Sequence, residues 1–276
     1  MPQQPFSRQD LTALLVGFGL VLAVIVFFAV KSGTPDETET VITDGAMKAE
    51  KPTLPMLDPT EARKKVLSKT PAKVIDIRSE IEYQAAHVID SVSVPADRLA
   101  EYFPAKEGDE ILLISGQDDT ASAKAADILS GKNVRYAFIK GGVIGWEQAG
   151  GQLVSFGNPS SPSDRSKVTL LPAEAFRKAI EDNETPHAIV DLRNKEDFSK
   201  SHIPEAMNIP IAELERRRAE IPPATNIALY ARDSLDAFQG AVRLFDFGMF
   251  SVKTLEIGFS EWESKEMPVE KMSDKQ

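Results

Sequence analysis

The sequence predicts an α/β protein built from two similar domains, each a parallel sheet with helices on both faces, preceded by one transmembrane helix. Three observations lead to this prediction. Residues 11–30 are mostly apolar and include no charged side chain. After residue 52, short apolar stretches alternate with helical patterns, which is typical of parallel sheets covered on both faces. The same order of motifs occurs twice, which indicates a domain duplication.

The apolar run at residues 11–30 is long enough to cross about 30 Å of hydrocarbon as a helix. No small-residue cleavage site follows it, which favours an anchor over the alternative, a cleaved signal peptide. We therefore expect a tail at residues 1–10, a membrane-spanning helix at 11–30 and a flexible stalk at 31–52. Arg8 precedes the run and mainly acidic residues follow it, which weakly favours an extracytoplasmic location for the body.

The rest of the chain has an acidic, globular composition. The sequence holds 32 Lys and Arg against 42 Asp and Glu, for a net charge of −10. Such a charge disfavours nucleic acid as a partner. The chain has no cysteine and only three histidines, at scattered positions. No metal site is expected, because no ligand spacing is present, and we expect no cofactor.

Composition also predicts the domain boundaries. A segment rich in Pro, Ser, Gly and Asn at residues 157–167 reads as a linker. We expect domain 1 at residues 53–156, domain 2 at 168–271 and a charged tail at 272–276.

The duplication is visible residue by residue. Asp76-x-Arg78 in the first copy recurs as Asp191-x-Arg193 in the second, and the two segments then align without a gap. An acidic–aromatic pair, a histidine followed by Val or Ile, and a Val/Ile-Pro pair follow at equal spacing in both copies. Each copy ends with a helix that carries a tryptophan, which we expect to pack in the core.

Each predicted element rests on its own local signal. Pro59 opens the first helix, the strands are short apolar runs, and the later helices carry apolar stripes. In domain 1 the order is helix 59–68, strand 73–77, a helix around Tyr83, strand 91–94, helix 97–102, strand 110–115, helix 121–129, strand 135–139 and a helix with Trp146. Domain 2 repeats this order, with strand 226–231 and helix 236–247. A mixed-charge helix is expected at 213–220, either as a solvated face or as a docking patch.

These combined motifs resemble the rhodanese domain family, over roughly residues 53–156 and 168–270. The resemblance implies a five-stranded parallel sheet. In active members of the family, the fourth strand delivers a cysteine into a tight loop, whose backbone N–H groups cradle a persulfide or an anionic substrate.

This chain has no nucleophile of that kind. The resemblance places Ser115 and Ala231 where the cysteine stands, and sulfur transfer needs a thiolate that can carry a second sulfur. We expect no catalytic residue. The degenerate loops are the candidate binding residues: Gly116, Gln117, Asp118, Asp119 and Thr120 in domain 1, and Arg232, Asp233, Ser234 and Asp236 in domain 2.

Two interpretations of the acidic loop residues remain open. They are helix caps and turn residues, or they form pockets that accept a basic group from a partner. Six residues that look like site residues are expected to be structural, because the family uses them to hold loops and turns: Asp76, Arg78, His87, Asp191, Arg193 and His202.

The sequence therefore predicts a membrane-anchored, catalytically inactive tandem rhodanese-like protein that acts as a protein-binding, scaffolding or accessory module. Its expected partners are membrane proteins or their soluble domains, and it contacts the lipid bilayer through residues 11–30. The cleft between the repeats is the expected contact zone. The alternative is a component of a sulfurtransferase pathway that binds a sulfur species or anion without forming a covalent adduct.

Overall fold

The computed structural model describes residues 54–271, apart from residues 102, 104, 105, 107, 117, 118, 133, 183–186, 224 and 225. The predicted tails, the transmembrane helix at 11–30 and the stalk at 31–52 lie outside the described residues. Within the described part, no helix combines the length and the apolar character that crossing a bilayer requires. The described residues belong to one compact unit.

Domain 1 alternates strands and helices along the chain. They are β1 (Met56–Leu57), α1 (Pro59–Val66), β2 (Lys73–Asp76), α2 (Glu80–Ala85), β3 (His87–Val88), β4 (Val92–Ser93), β5 (Glu110–Ile114), α3 (Asp119–Ser130), β6 (Arg135–Ile139), α4 (Gly142–Gln148) and β7 (Leu153–Val154). Five strands form a parallel sheet in the order β1-β6-β5-β2-β4. The short strands β3 and β7 form a separate antiparallel ladder.

Local capping explains where the first two helices of domain 1 begin. The Asp58 side chain accepts a hydrogen bond from the amide of Thr60 at 2.9 Å, and Pro59 occupies the first turn of α1, where its missing N–H has no consequence. Helix α2 starts with a capping box, in which Ser79 and Glu82 each bind the other's backbone amide.

Domain 2 repeats the arrangement after a short linker helix. Its elements are α5 (Pro162–Ser166), β8 (Thr169–Leu171), α6 (Ala173–Glu181), β9 (His187–Asp191), α7 (Lys195–Lys200), β10 (Ser201–His202), β11 (Met207–Asn208), α8 (Leu214–Arg217), β12 (Asn226–Tyr230), α9 (Ser234–Asp246), β13 (Val252–Leu255), α10 (Phe259–Ser264) and β14 (Glu270–Lys271). Its parallel sheet has the order β11-β9-β12-β13-β8.

The two sheets match strand for strand. β10 and β14 pair in antiparallel fashion, as β3 and β7 do in domain 1. The turn after each histidine contains a residue with positive φ at the same position, Asp90 with φ 62° and Glu205 with φ 65°. The duplication predicted from the sequence is therefore also present in backbone detail.

Both faces of each parallel sheet are buried, because the helices cover them. In domain 1, Ile75 and Leu113 pack into one apolar cluster, while Val74, Leu112 and Ile114 pack into another on the opposite face. This double burial is the reason that the strands read as continuous apolar runs.

Trp146 and Trp262 are buried in the two domains. Their indole N–H groups donate to the carbonyls of Gln152 and Pro268, at 3.0 and 3.1 Å. Each tryptophan thus joins a core cluster and satisfies its polar atom.

Most predicted elements are confirmed to within about two residues, but two helices are not. The predicted helix at 97–102 is wrong over its described residues, which form successive turns. There the Arg98 amide binds the Pro95 carbonyl and the Glu101 amide binds the Arg98 carbonyl. Leu99 is completely buried in the domain 1 core, and its packing determines the path of this segment.

The predicted mixed-charge helix at 213–220 is also irregular. A single α-helical turn, α8, lies between two 3₁₀ turns at Ile211–Glu213 and Arg218–Glu220. The linker at 157–167, expected from its composition to be a plain connection, contains helix α5.

Candidate functional site

The candidate site of each domain lies at the carboxyl end of the middle strand of its sheet. Ser115 follows β5 in domain 1, and Ala231 follows β12 in domain 2. In open α/β sheets, ligands bind in the crevice outside the carboxyl ends of the strands. Ser115 is partly exposed, whereas Ala231 is completely buried. The two copies therefore present different surfaces at equivalent positions.

Domain 1 has a cavity of about 680 Å³ at this place. It is lined by Leu54, Met56, Arg78, Glu82, Ser115, Gly116, Ser122, Phe138, Ile139, Gly141, Gly142, Val143 and Ile144. The size falls within the range of small-ligand pockets. Two adjacent glycines with positive φ, Gly141 and Gly142, turn the chain from β6 into α4. A Cβ on Gly142 would lie 2.7 Å from the carbonyl oxygen of Ser115, so glycine is required there.

Arg78 lines the cavity, but its charge is already paired. Its Nη2 donates to Asp76 Oδ2 at 2.5 Å and to the Ala86 carbonyl at 2.7 Å, and its Nε donates to Asp76 Oδ1 at 2.9 Å. Asp76 is fully buried and the Arg78 side chain is nearly so. The pair joins the end of β2 to the end of α2, and it leaves no net charge for a ligand.

Glu82 supplies the unbalanced charge of the cavity. Its Oε2 accepts hydrogen bonds from the Ser79 hydroxyl and amide, at 2.6 and 3.1 Å. The hydroxyl bond lowers the pKa of Glu82 below its usual value, and a glutamate is ionised at neutral pH even at that usual value. Its Oε1 has no hydrogen bond to a described residue and lies beside Gly116, 3.6 Å from the position that a Cβ there would take.

The equivalent hollow in domain 2 is smaller, about 360 Å³. The guanidinium of Arg193 lies against the ring of Phe259, with its central carbon 3.6 Å from the ring centroid. Arg193 also pairs with buried Asp191 at 2.6 Å. Arg232 pairs with Asp233 and Asp236, each at 3.1 Å. The cations of this hollow are thus partnered by its own carboxylates.

The domain 2 loop behaves as a helix start. Asp233 is the N-cap of α9, and its Oδ1 accepts the Asp236 amide at 2.9 Å. This bond lowers the pKa of Asp233. Ser234 is the first helical residue.

The domain 1 loop is described only in part. Ser115 and Gly116 line the cavity, and Thr120 lies in the first turn of α3. Of the described loop residues predicted to bind, the structure therefore brings Gly116 into the domain 1 cavity, next to Ser115, and Arg232 into the smaller hollow of domain 2. Gln117 and Asp118 lie outside the described residues, and Asp119 opens α3.

The two histidines of the repeated motif hold turns. His87 Nδ1 lies 2.9 Å from the Tyr83 carbonyl, and His202 Nδ1 lies 3.0 Å from the Phe198 carbonyl. His87 is fully buried, and its Nε2 lies 3.1 Å from an oxygen of Glu215 in domain 2. Both ring nitrogens are engaged, so His87 is not placed to activate Ser115.

Glu215 belongs to an interface between the domains that sequence reasoning did not locate. Its Oε1 accepts the Asp90 amide at 2.5 Å, and Arg218 makes two bonds of 2.8 Å to the Asp90 carboxylate. The charged run at 213–220 thus docks onto domain 1 within the same chain. The charge pattern allowed a docking patch, but no local signal identified domain 1 as what it binds.

A second part of the interface surrounds Asp246. Its Oδ2 accepts the Ser155 amide at 3.0 Å, and its Oδ1 binds Lys167 at 2.8 Å. Nearby, the Arg243 guanidinium stacks on Phe156, 4.0 Å from the ring centroid. Residues from both domains and the linker therefore meet at α9.

Among the described residues, no three His, Asp or Glu side chains are grouped so that they could hold a metal ion.

A family model for the rhodanese-like domain matches residues 58–149 and 172–265. The HTH-type transcriptional regulator Rv0324 of Mycobacterium tuberculosis is 39% identical over 83 residues, which cover 30% of this chain and 37% of that protein. The putative sulfur carrier protein YrkF of Bacillus subtilis is 26% identical over 125 residues, 44% of this chain and 67% of that protein.

Among solved structures, a thiosulfate sulfurtransferase from Pseudomonas aeruginosa aligns over 80% of this chain and 44% of its own, with a TM-score of 0.41 and 22% identity. This chain spans little more than a third of the mycobacterial relative and less than half of the Pseudomonas protein.

Proposed function

The chain belongs to the rhodanese-like domain family, and on this premise we propose that it is a non-catalytic member that acts as a membrane-anchored binding or scaffolding module. The observation that carries the proposal is the pair of residues at the strand ends. Ser115 and Ala231 follow the middle strands of the two sheets, and no cysteine occurs in the sequence.

The chemistry of sulfur transfer supports this reading. A persulfide forms on a thiolate, which is a soft nucleophile and a good leaving group. A serine hydroxyl cannot carry a second sulfur in that way, and an alanine offers no nucleophile. His87, the motif histidine of the same domain, is not available as a base for Ser115, because both of its ring nitrogens are engaged.

The binding role rests on the difference between the two copies. Domain 1 keeps an open cavity at the degenerate position, whereas Phe259 and paired arginines fill much of the domain 2 hollow. The proposed partners are membrane proteins or their soluble domains, because residues 11–30 are expected to hold the chain at a bilayer.

The decisive experiment is a thiosulfate:cyanide sulfurtransferase assay of the full chain in mild detergent. We expect no turnover above background. Ser115→Cys alone is expected to restore little, because the Glu82 carboxylate beside the loop would raise the pKa of the new thiol. The double variant Ser115→Cys/Glu82→Gln tests that reason, and turnover by the wild type would refute the proposal.

A second candidate function is the non-covalent binding of a sulfur oxyanion. It is favoured by Arg232, which lines the domain 2 hollow and keeps 70% of its side chain exposed although it pairs with Asp233 and Asp236. Calorimetric titration of the full chain with thiosulfate tests it. Saturable binding that Arg232→Ala abolishes would favour this function over scaffolding.

A further inference from the structure

The cavity of domain 1 differs in its rim from the equivalent face of domain 2. Ile144 and Met56 line it with 59% and 52% of their surfaces exposed. When the two tryptophan helices are aligned, Ser260 of domain 2 takes the place of Ile144 and Phe259 takes the place of Val143. Met56 has an exposed apolar counterpart in domain 2, Leu170, which is 46% exposed, so the rims of the two copies differ at Ile144 and Val143.

The two faces also differ in charge. Arg232 of domain 2 aligns with Gly116 of domain 1, so the domain 1 loop lacks that cation. Asp76 and Arg78 neutralise each other, and the charge left at the domain 1 cavity is the carboxylate of Glu82, with Oε1 free of hydrogen bonds to described residues. The residues that line the cavity thus combine apolar surface with one unbalanced negative charge.

On the basis of the proposed function, we propose that this cavity receives a lysine or arginine side chain carried by an apolar segment of a partner protein. The cationic group pairs with Glu82 Oε1, and the methylene stem packs along Val143, Ile144 and Met56. Lysine and arginine suit such a site because their stems bury against apolar surface while the charge reaches a polar partner. The acidic chain, with a net charge of −10, also attracts a basic segment.

An anionic occupant fits the cavity less well. The guanidinium of Arg78 is used by Asp76 and by the Ala86 carbonyl. An anion placed beside Gly116 would lie close to the ionised Glu82 carboxylate, and like charges repel each other. The test must therefore be able to detect preferential binding of an acidic or a purely apolar ligand.

The test uses the full chain in mild detergent and four pools of fluorescent pentapeptides, with Lys, Arg, Met or Glu fixed at the centre and Leu, Ile or Ala randomised at the flanks. Fluorescence anisotropy measures the affinity for each pool. We expect the Lys and Arg pools to bind about two- to fivefold more tightly than the Met pool, because their charge pairs with the exposed carboxylate of Glu82. The Glu pool is expected to bind most weakly.

Three variants separate the contributions to binding. Glu82→Gln should bring the Lys and Met pools to equal affinity. Ser79→Ala is the matched control, since it disrupts the same capping box but keeps the carboxylate, and it should retain the preference. Ile144→Ser, which introduces the domain 2 residue, should weaken binding of all four pools several-fold without changing the Lys-to-Met ratio.

The inference is overturned if no pool binds, if the wild type does not distinguish Lys from Met, if the Glu pool binds best, or if Glu82→Gln keeps the preference. These results are independent of the sulfurtransferase assay. A chain without turnover and without a basic preference refutes this inference only, whereas turnover by the wild type refutes the proposed function.

Discussion

Glu215 couples the two domains, and we predict that Glu215→Ala destabilises domain 1 although the substitution is in domain 2. The carboxylate binds the amide of Asp90 and lies 3.1 Å from Nε2 of His87, which is completely buried. Truncation leaves this imidazole nitrogen buried without a partner.

The magnitude follows from the two lost contacts. A buried polar group left unsatisfied costs about 1–3 kcal/mol, and loss of a more exposed hydrogen bond, such as that of the Asp90 amide, costs about 0.5–1.5 kcal/mol. We therefore expect the free energy of unfolding of domain 1 to fall by about 2–4 kcal/mol. With a urea m-value of about 2 kcal/mol/M, this lowers the unfolding midpoint by about 1–2 M.

The chain carries its own probes for this measurement, because each domain holds one buried tryptophan. In a Trp262→Phe background the remaining fluorescence reports domain 1, and in a Trp146→Phe background it reports domain 2. Urea unfolding of the full chain in both backgrounds, with and without Glu215→Ala, gives four midpoints. We expect the larger decrease for the probe in domain 1.

The matched control is Glu220→Ala, which removes an exposed carboxylate on the same segment that pairs with Arg217 inside domain 2. It is expected to leave both midpoints nearly unchanged, because exposed ion pairs contribute little. The reasoning is refuted if Glu215→Ala leaves the domain 1 midpoint unchanged, or if Glu220→Ala lowers it equally.

Three further predictions concern other parts of the chain. Gly142→Ala should lower the melting temperature clearly more than Gly108→Ala. Both glycines have positive φ, but a Cβ at Gly142 would approach the carbonyl oxygen of Ser115, whereas nothing lies within 4 Å of a Cβ at Gly108. Equal decreases would remove the steric argument. Asp233→Ala should lower the free energy of unfolding by about 1 kcal/mol at neutral pH. Because the pKa of this capping carboxylate is lowered in the folded state, its contribution to stability is fully present above the ordinary aspartate pKa and is lost as the pH falls through the folded-state pKa. The stabilities of wild type and variant should therefore converge in acid. Residues 11–30 should keep the full chain in the membrane during an alkaline carbonate wash, and a chain without residues 1–31 should be soluble; release of the intact chain by the wash would contradict the anchor.

Much of the fold could be predicted because its signals are local and are repeated. The strand at 135–139 ends in the buried apolar residues Phe138 and Ile139, and its predicted bounds are those of β6. The turns at 97–101 could not be foreseen from the sequence. Leu99 is buried in the core, and an apolar residue among polar ones is also what a short amphipathic helix would show. Its packing, rather than a helical period, determines the path of that segment.

The candidate site was less predictable, because it depends on which side chains occupy the space at the carboxyl end of each middle strand. Val143 and Phe259 occupy equivalent positions in the two copies, and both read as ordinary apolar residues. In the structure, Val143 borders an open cavity, whereas Phe259 stacks on a guanidinium and narrows the hollow. In the sequence, Glu82 was only the acidic residue of the acidic–aromatic pair. The tertiary fold places its second carboxylate oxygen beside Gly116, in the loop that follows β5.

The positive-φ turns described above also bear on assembly. Domain 2 docks onto the Asp90 turn of domain 1 through Glu215, a head-to-tail contact, and contacts of this kind can propagate into open filaments if each unit offers both surfaces. In domain 2, Glu205 occupies the equivalent turn, but Ala100 of domain 1 aligns with Glu215 and has no carboxylate to bind there. A first domain therefore has no carboxylate with which to dock onto the Glu205 turn of a second domain. The divergence of the two halves thus limits this head-to-tail contact to a single pair of domains.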